Sequence, residues 1–215
     1  VLEGFYFEDQ NKDTLLSGSR LEVDIDLFKI LSNEIEINSI ELENATANIS
    51  RNKDSVFNFD YIIKAFDTGK PKDPNSEPYV ISVVKIDLKK INFSFNDALS
   101  KNDVKVKINQ FDTEFESFDL DKMNFDIPNI NLDGLKVVLN QDLVEKIAEA
   151  GVKTIDTLSK RPDLSLKLYY FFLKNINIVY DNKDSKLNTG VNFDQLNLIV
   201  NEVSLQKQLL DFDTF

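Results

Sequence analysis

Apolar and polar positions alternate along most of this chain, and the alternation slips at regular places. Ile86, Leu88, Ile91, Phe93 and Phe95 carry the pattern, with one extra residue between Leu88 and Ile91. The same texture runs through Ile35, Ile37, Ile40 and Leu42, and on to Ala45, Ala47 and Ile49. It returns at Ile130, Leu132, Leu135, Val137 and Leu139, and at Phe171, Leu173, Ile176, Ile178 and Tyr180. A period of two marks strands with one buried face. One extra residue would turn every later side chain to the wrong face, unless a bulge or corner restores the phase. The pattern predicts a strongly curved sheet whose apolar side stays inward.

The longest such stretch occurs twice. A shift of 85 places residues 86–127 on residues 171–212 without a gap. Leu88 meets Leu173, Phe93 meets Ile178, Phe111 meets Leu196 and Phe115 meets Val200. A fixed-period repeat is the mark of a stacked or elongated architecture. The predicted fold is mostly β: a curved antiparallel sheet forming a hydrophobic groove or half-open roll, plus two amphipathic helices. All 215 residues belong to one elongated segment, with units of about 1–56, 79–139 and 164–215.

Two stretches change period. Phe59, Ile62, Ile63 and Phe66 predict a helix over about 58–67, with Asn58 as its N-cap and Gly69 as its stop. Leu143, Val144, Ile147, Ala148, Val152, Ile155 and Leu158 predict a second over about 140–160, ended by Arg161-Pro162. Both are expected to cover an edge or end of the sheet. Residues 70–78 hold three prolines and read as an exposed loop.

Composition narrows the chemistry. The chain has 37 acidic and 25 basic residues, a net charge of −12, which disfavours nucleic acid and anionic lipid headgroups as bulk partners. Cysteine and histidine are absent, so disulfides, thiol nucleophiles, imidazole bases and the common zinc sites are excluded. No catalytic residue, metal or cofactor is expected, and the chain reads as a non-enzyme. The longest apolar run has six residues, far short of the roughly 20 of a membrane span. The chain starts at Val1 inside an apparent strand, and reads as a segment of a longer protein.

Three Asp-x-Asp pairs, Asp24/Asp26, Asp119/Asp121 and Asp211/Asp213, invite a cation, because residues two apart share a strand face. They also sit where an alternating strand carries polar residues, and none has the glycine and glutamate of a calcium loop. Asn-Lys-Asp at 11–13, 52–54 and 182–184 reads as turn chemistry. The candidate functional surface is instead the inward face: Phe93, Phe95, Phe111, Phe115, Phe118, Ile176, Ile178, Tyr180, Phe193, Leu196 and Leu198. A closed sandwich would fill its own core with these residues. A bent single sheet would leave them lining a trough that needs an occupant.

The runs Phe7-Glu8-Asp9-Gln10 with Asp13-Thr14-Leu15-Leu16, Ile35-x-Ile37-x-x-Ile40-x-Leu42-x-Asn44, and Phe57-Asn58-Phe59-x-Tyr61-Ile62-Ile63-x-Ala65-Phe66 resemble the N-terminal part of the TamB family. That family belongs to the AsmA-like proteins of Gram-negative envelopes. The resemblance implies a periplasmic protein, anchored in the inner membrane by a helix outside this segment. It implies a groove for phospholipid acyl chains between inner and outer membranes, and an outer-membrane barrel as partner. The alternative it leaves open is a scaffold that assists outer-membrane protein assembly by templating β-strands.

Overall fold

The structure, a computed structural model, describes residues 1–29, 34–66, 80–119, 122–142, 165–204 and 209–214. These form β1 (Leu2–Glu8), β2 (Thr14–Asp26), β3 (Glu34–Glu43), β4 (Thr46–Arg51), α1 (Asp60–Phe66), β5 (Val80–Val83), β6 (Lys85–Asp97), β7 (Asn102–Glu114), β8 (Ser117–Asp119), β9 (Asn124–Asp133), β10 (Lys136–Gln141), β11 (Ser165–Asn182), β12 (Leu187–Ser204) and β13 (Leu209–Thr214). All thirteen strands belong to one sheet. Several are halves of one row: β3 continues into β4, β5 into β6, β7 into β8 and β9 into β10. Counted this way, rows lie side by side in chain order, from β1 at one edge to β13 at the other.

The sheet is curved and mixed: mostly antiparallel, with two parallel junctions that the pattern does not mark. Neighbouring rows run antiparallel except at two junctions, where β3–β4 meets β5–β6 and where β9–β10 meets β11. The reason is connectivity. Tight turns favour antiparallel neighbours, whereas β5 starts at the same end as β3, and β11 at the same end as β9, so each of these rows runs the same way as the one before it. Three three-row meanders result, joined by two parallel junctions.

The phase slips are corners with a defined backbone. Gly4, Asn44, Lys90, Gly134 and Asn175 all have positive φ, between 49° and 70°. A single left-handed residue shifts the alternation by one and turns the strand. Glycine takes this conformation freely and asparagine tolerates it, while lysine carries strain. In register, these corners fall in one line across the sheet. Asn44 N–H donates to Lys89 O at 2.8 Å and Asn92 N–H to Ala45 O at 2.8 Å. The second junction repeats the arrangement, with Gly134 N–H on Lys174 O at 2.9 Å and Asn177 N–H on Leu135 O at 2.8 Å. Phe5, Ala45 and Ile176, each directly after a corner residue, are buried. Across the turn from Phe5, Gly18 has no Cβ because the Phe5 ring occupies that space.

Of the predicted helices, α1 begins at Asp60 rather than at Asn58. Asn58 is not its N-cap: its side chain accepts from Ser50 N–H at 3.0 Å and donates to Asn48 O at 2.9 Å. It thereby lies beside β4 and satisfies that strand's backbone. Tyr61 of α1 donates its hydroxyl to Glu8 O. Gly69 lies outside the described residues. Of the predicted 140–160 helix, Asn140 and Gln141 belong to β10, paired with Asp181 and Asn182 of β11; residues 143–160 lie outside the described residues.

Candidate functional site

Cross-strand pairing converts the apolar pattern into rungs. Leu21, Leu42, Leu88, Phe111, Leu132, Leu173 and Leu196 are successive partners from β2 to β12. One step away run Val23, Ile40, Ile86, Thr113, Ile130, Phe171 and Leu198. Beyond the corner line run Ala47, Phe93, Val106, Val137, Ile178 and Val191, then Ile49, Phe95, Val104, Leu139 and Tyr180. Directly opposed residues point to the same face. The corners keep these rungs on one face.

Nine of the eleven candidate residues therefore share that face: Phe93, Phe95, Phe111, Ile176, Ile178, Tyr180, Phe193, Leu196 and Leu198. Ile176, paired with Phe193, is 1% exposed and belongs to the packed corner. Two residues along the strand, Ile178 is 36% exposed and its partner Val191 53%. Phe115 and Phe118 lie apart, near the opposite strand ends. They form an edge-to-face cluster with Phe125, at centroid separations of 5.1 Å and 5.2 Å.

One corner of the apolar face is covered. Phe57, in the crossover after β4, stacks on Phe95 at 6.5 Å and on Phe59 at 5.0 Å. The Arg51 guanidinium lies 5.7 Å from the Phe57 ring centre and grips both carboxylate oxygens of Asp97. Asp97 is 3% exposed and also accepts from the Ser100 hydroxyl and from Leu99 N–H. The hydrogen bonds from Arg51, aided by those from Ser100 and Leu99, outweigh burial and hold the Asp97 carboxyl well below the usual carboxylate range.

The other face is polar and carries much of the acidity. Glu22, Glu41, Asp87 and Asp112 are successive partners in one rung. Directly opposed like charges repel, and Lys89 relieves them in part, 3.5 Å from Asp87 and 3.7 Å from Glu43. A concavity of about 340 Å³ on this face is lined by Gln110, Asp112, Asn131, Asp133 and Lys174 among others.

The remaining motifs serve turns or pairs. Asp26 accepts from Phe28 N–H and Asp24 from the Asn38 amide. Asp119 binds Lys122, Asp121 lies outside the described residues, and no group of three or more carboxylates placed to hold a metal ion occurs among the described residues. Asn52 and Asn182 accept backbone N–H groups two to four residues on.

No protein-family model, no curated protein and no solved structure matches this chain.

The sequence pattern gives a first unit over about 1–56 but does not align it residue by residue with the other two. Leu2, Gly4, Phe5 and Phe7 stand 86 residues before Leu88, Lys90, Ile91 and Phe93, whereas Leu21, Leu42, Asn44 and Arg51 stand 90 before Phe111, Leu132, Gly134 and Gln141. The first hairpin is four residues shorter, so a gap-free shift cannot find it. The signal was present as a glycine at a phase slip.

Proposed function

We propose that this chain is a segment of a periplasmic lipid conduit, its apolar face holding phospholipid acyl chains while headgroups remain in water. One observation carries the reading: apolar rungs run through seven successive rows on one face, and Val23, Ile25, Ile178 and Val191 on that face stay more than a third exposed. Burial of Phe5, Ala45 and Ile176, each just after a corner, supports reading that face as the inside of the bend, a trough in this proposal. Each methylene kept out of water there contributes about 0.8 kcal/mol. Passage between the inner and outer membranes follows from the resemblance to TamB and AsmA-like proteins. That same resemblance proposes the inner-membrane anchor and the barrel partner.

The test is mass spectrometry of gently purified protein. Phospholipid should co-purify, and Val191→Asp should strip it while leaving the circular dichroism spectrum unchanged. Phe95 is a poorer probe, because Phe57 already covers it. Wild-type protein free of lipid would overturn the reading.

A further inference from the structure

The outer edge of β1 copies half of a parallel junction. At both internal junctions the first strand of a meander, β6 or β11, has a left-handed residue two positions after a leucine: Leu88 then Lys90, Leu173 then Asn175. The carbonyl just before that residue, Lys89 O or Lys174 O, and the N–H two positions after it, Asn92 or Asn177, point to the preceding row. There they meet the left-handed residue of a third-row strand, Asn44 or Gly134, and the carbonyl of the residue after it. In β1, Leu2 precedes Gly4, whose φ is 62°. Glu3 pairs with Arg20 as Lys89 pairs with Gln110 and Lys174 with Gln195. Tyr6 pairs with Ser17 as Asn92 pairs with Lys107 and Asn177 with Asn192. By this equivalence the Glu3 carbonyl and the Tyr6 N–H face outward.

Among the described residues β1 pairs only with β2. Its side chains continue the apolar rungs, Leu2 beside Leu21 and Phe7 beside Leu16, and both are about half exposed. An open edge with apolar side chains is a template for another strand.

We propose that the outer edge of β1 docks one further strand, in parallel, of the kind seen in β3–β4 and β9–β10. Its recognition pattern is written twice in this chain: Ile40-x-Leu42-x-Asn44-Ala45-x-Ala47-x-Ile49 and Ile130-x-Leu132-x-Gly134-Leu135-x-Val137-x-Leu139. The partner is an extended segment with alternating apolar residues, interrupted by one asparagine or glycine in the left-handed conformation. Its corner residue donates to Glu3 O, and the carbonyl after the corner accepts from Tyr6 N–H. The pattern selects against an ordinary flat strand, whose side chains would lose phase at Gly4. This inference stands whether or not the apolar face carries lipid.

The probe is a synthetic peptide of residues 124–141, added to the whole chain and followed by fluorescence anisotropy and by amide hydrogen exchange. Saturable binding with new protection of Tyr6 N–H is expected. The Gly134→Val peptide should bind about tenfold more weakly, because a β-branched residue is costly in the left-handed region. Tyr6→Pro in the chain removes the edge donor and should abolish binding; the peptide variant answers the same question with the chain unaltered. Absence of binding, equal binding of the Gly134→Val peptide, or protection at β13 in place of Tyr6 overturns the proposal. So does self-association of the chain through two β1 edges, seen as Tyr6 protection without peptide.

Discussion

The two parallel junctions are built on one backbone plan and locked by different side chains. At the first, Ala98 N–H donates to Arg51 O; at the second, Lys183 N–H donates to Gln141 O. Ala98 and Lys183 are 85 residues apart, and Arg51 and Gln141 are 90 apart, the spacings of the repeat itself. Around these bonds the chemistry diverges. Arg51 forks onto Asp97 at the first junction. The equivalent Gln141 accepts from the Asn182 amide at 2.6 Å and from the Tyr180 hydroxyl at 3.0 Å. Phe95, which Phe57 covers, is replaced by Tyr180, whose hydroxyl enters the amide network. The difference teaches that the corner backbone defines the junction, while the lock at its end is free to be ionic or neutral.

The largest effect should come from breaking the ionic lock. Arg51→Ala leaves Asp97 nearly buried without its cation and should cost about 3 kcal/mol in urea unfolding. Gln141→Ala, at the matching neutral lock, should cost about 1 kcal/mol. Equal losses would show that the two locks do not differ in kind.

Next comes the corner itself. A Cβ at Gly134 would stand 2.6 Å from the Asn109 Cβ, on a backbone with φ of 70°. Gly134→Ala combines that overlap with left-handed strain and should destabilise by about 2 kcal/mol. Asn44→Ala, at the corresponding corner of the first junction, should cost less, and comparison of the two midpoints checks this.

Acid should separate the junctions further. The Asp97 carboxyl lies below its usual value of 3.8 in the folded chain, so the unfolded chain takes up its proton first. The stability it supplies is complete above that usual value and fades as pH falls through the lower folded value. The stability gap between wild type and Asp97→Asn should therefore be constant near neutrality and narrow below about pH 4. The gap for Gln141→Ala should not change with pH in that range. A smaller effect is expected at Lys90, the one lysine among the corner residues. Lys90→Gly relieves left-handed strain at the cost of chain entropy, and should stabilise by about 0.5 kcal/mol at most, read as a small rise in Tm.

Much of the strand pattern and of the shared face was legible before the fold. The slip between Leu88 and Ile91 located a corner, and the structure places the left-handed Lys90 there. Phe93, Ile178 and Leu196 read as inward residues, and their rungs put them on one face. Other features were not legible. The parallel pairing of β6 with β4 and of β11 with β10 depends on where distant rows end, and alternation is the same in either direction. The clamp of Arg51 on Asp97 joins residues 46 apart in the chain and carries no local mark. Nothing local marks Phe57 as a cover for Phe95, on which it stacks.

What the sequence by itself determined is the two-residue period, its slips and the sorting of side chains onto two faces, because these follow from local backbone geometry. Only the tertiary structure decided the direction of each row, the alignment of the corners into one line, and which apolar residues are packed and which are left open. Those depend on hydrogen bonds and rings brought together across the sheet, and no local pattern encodes a distance between rows.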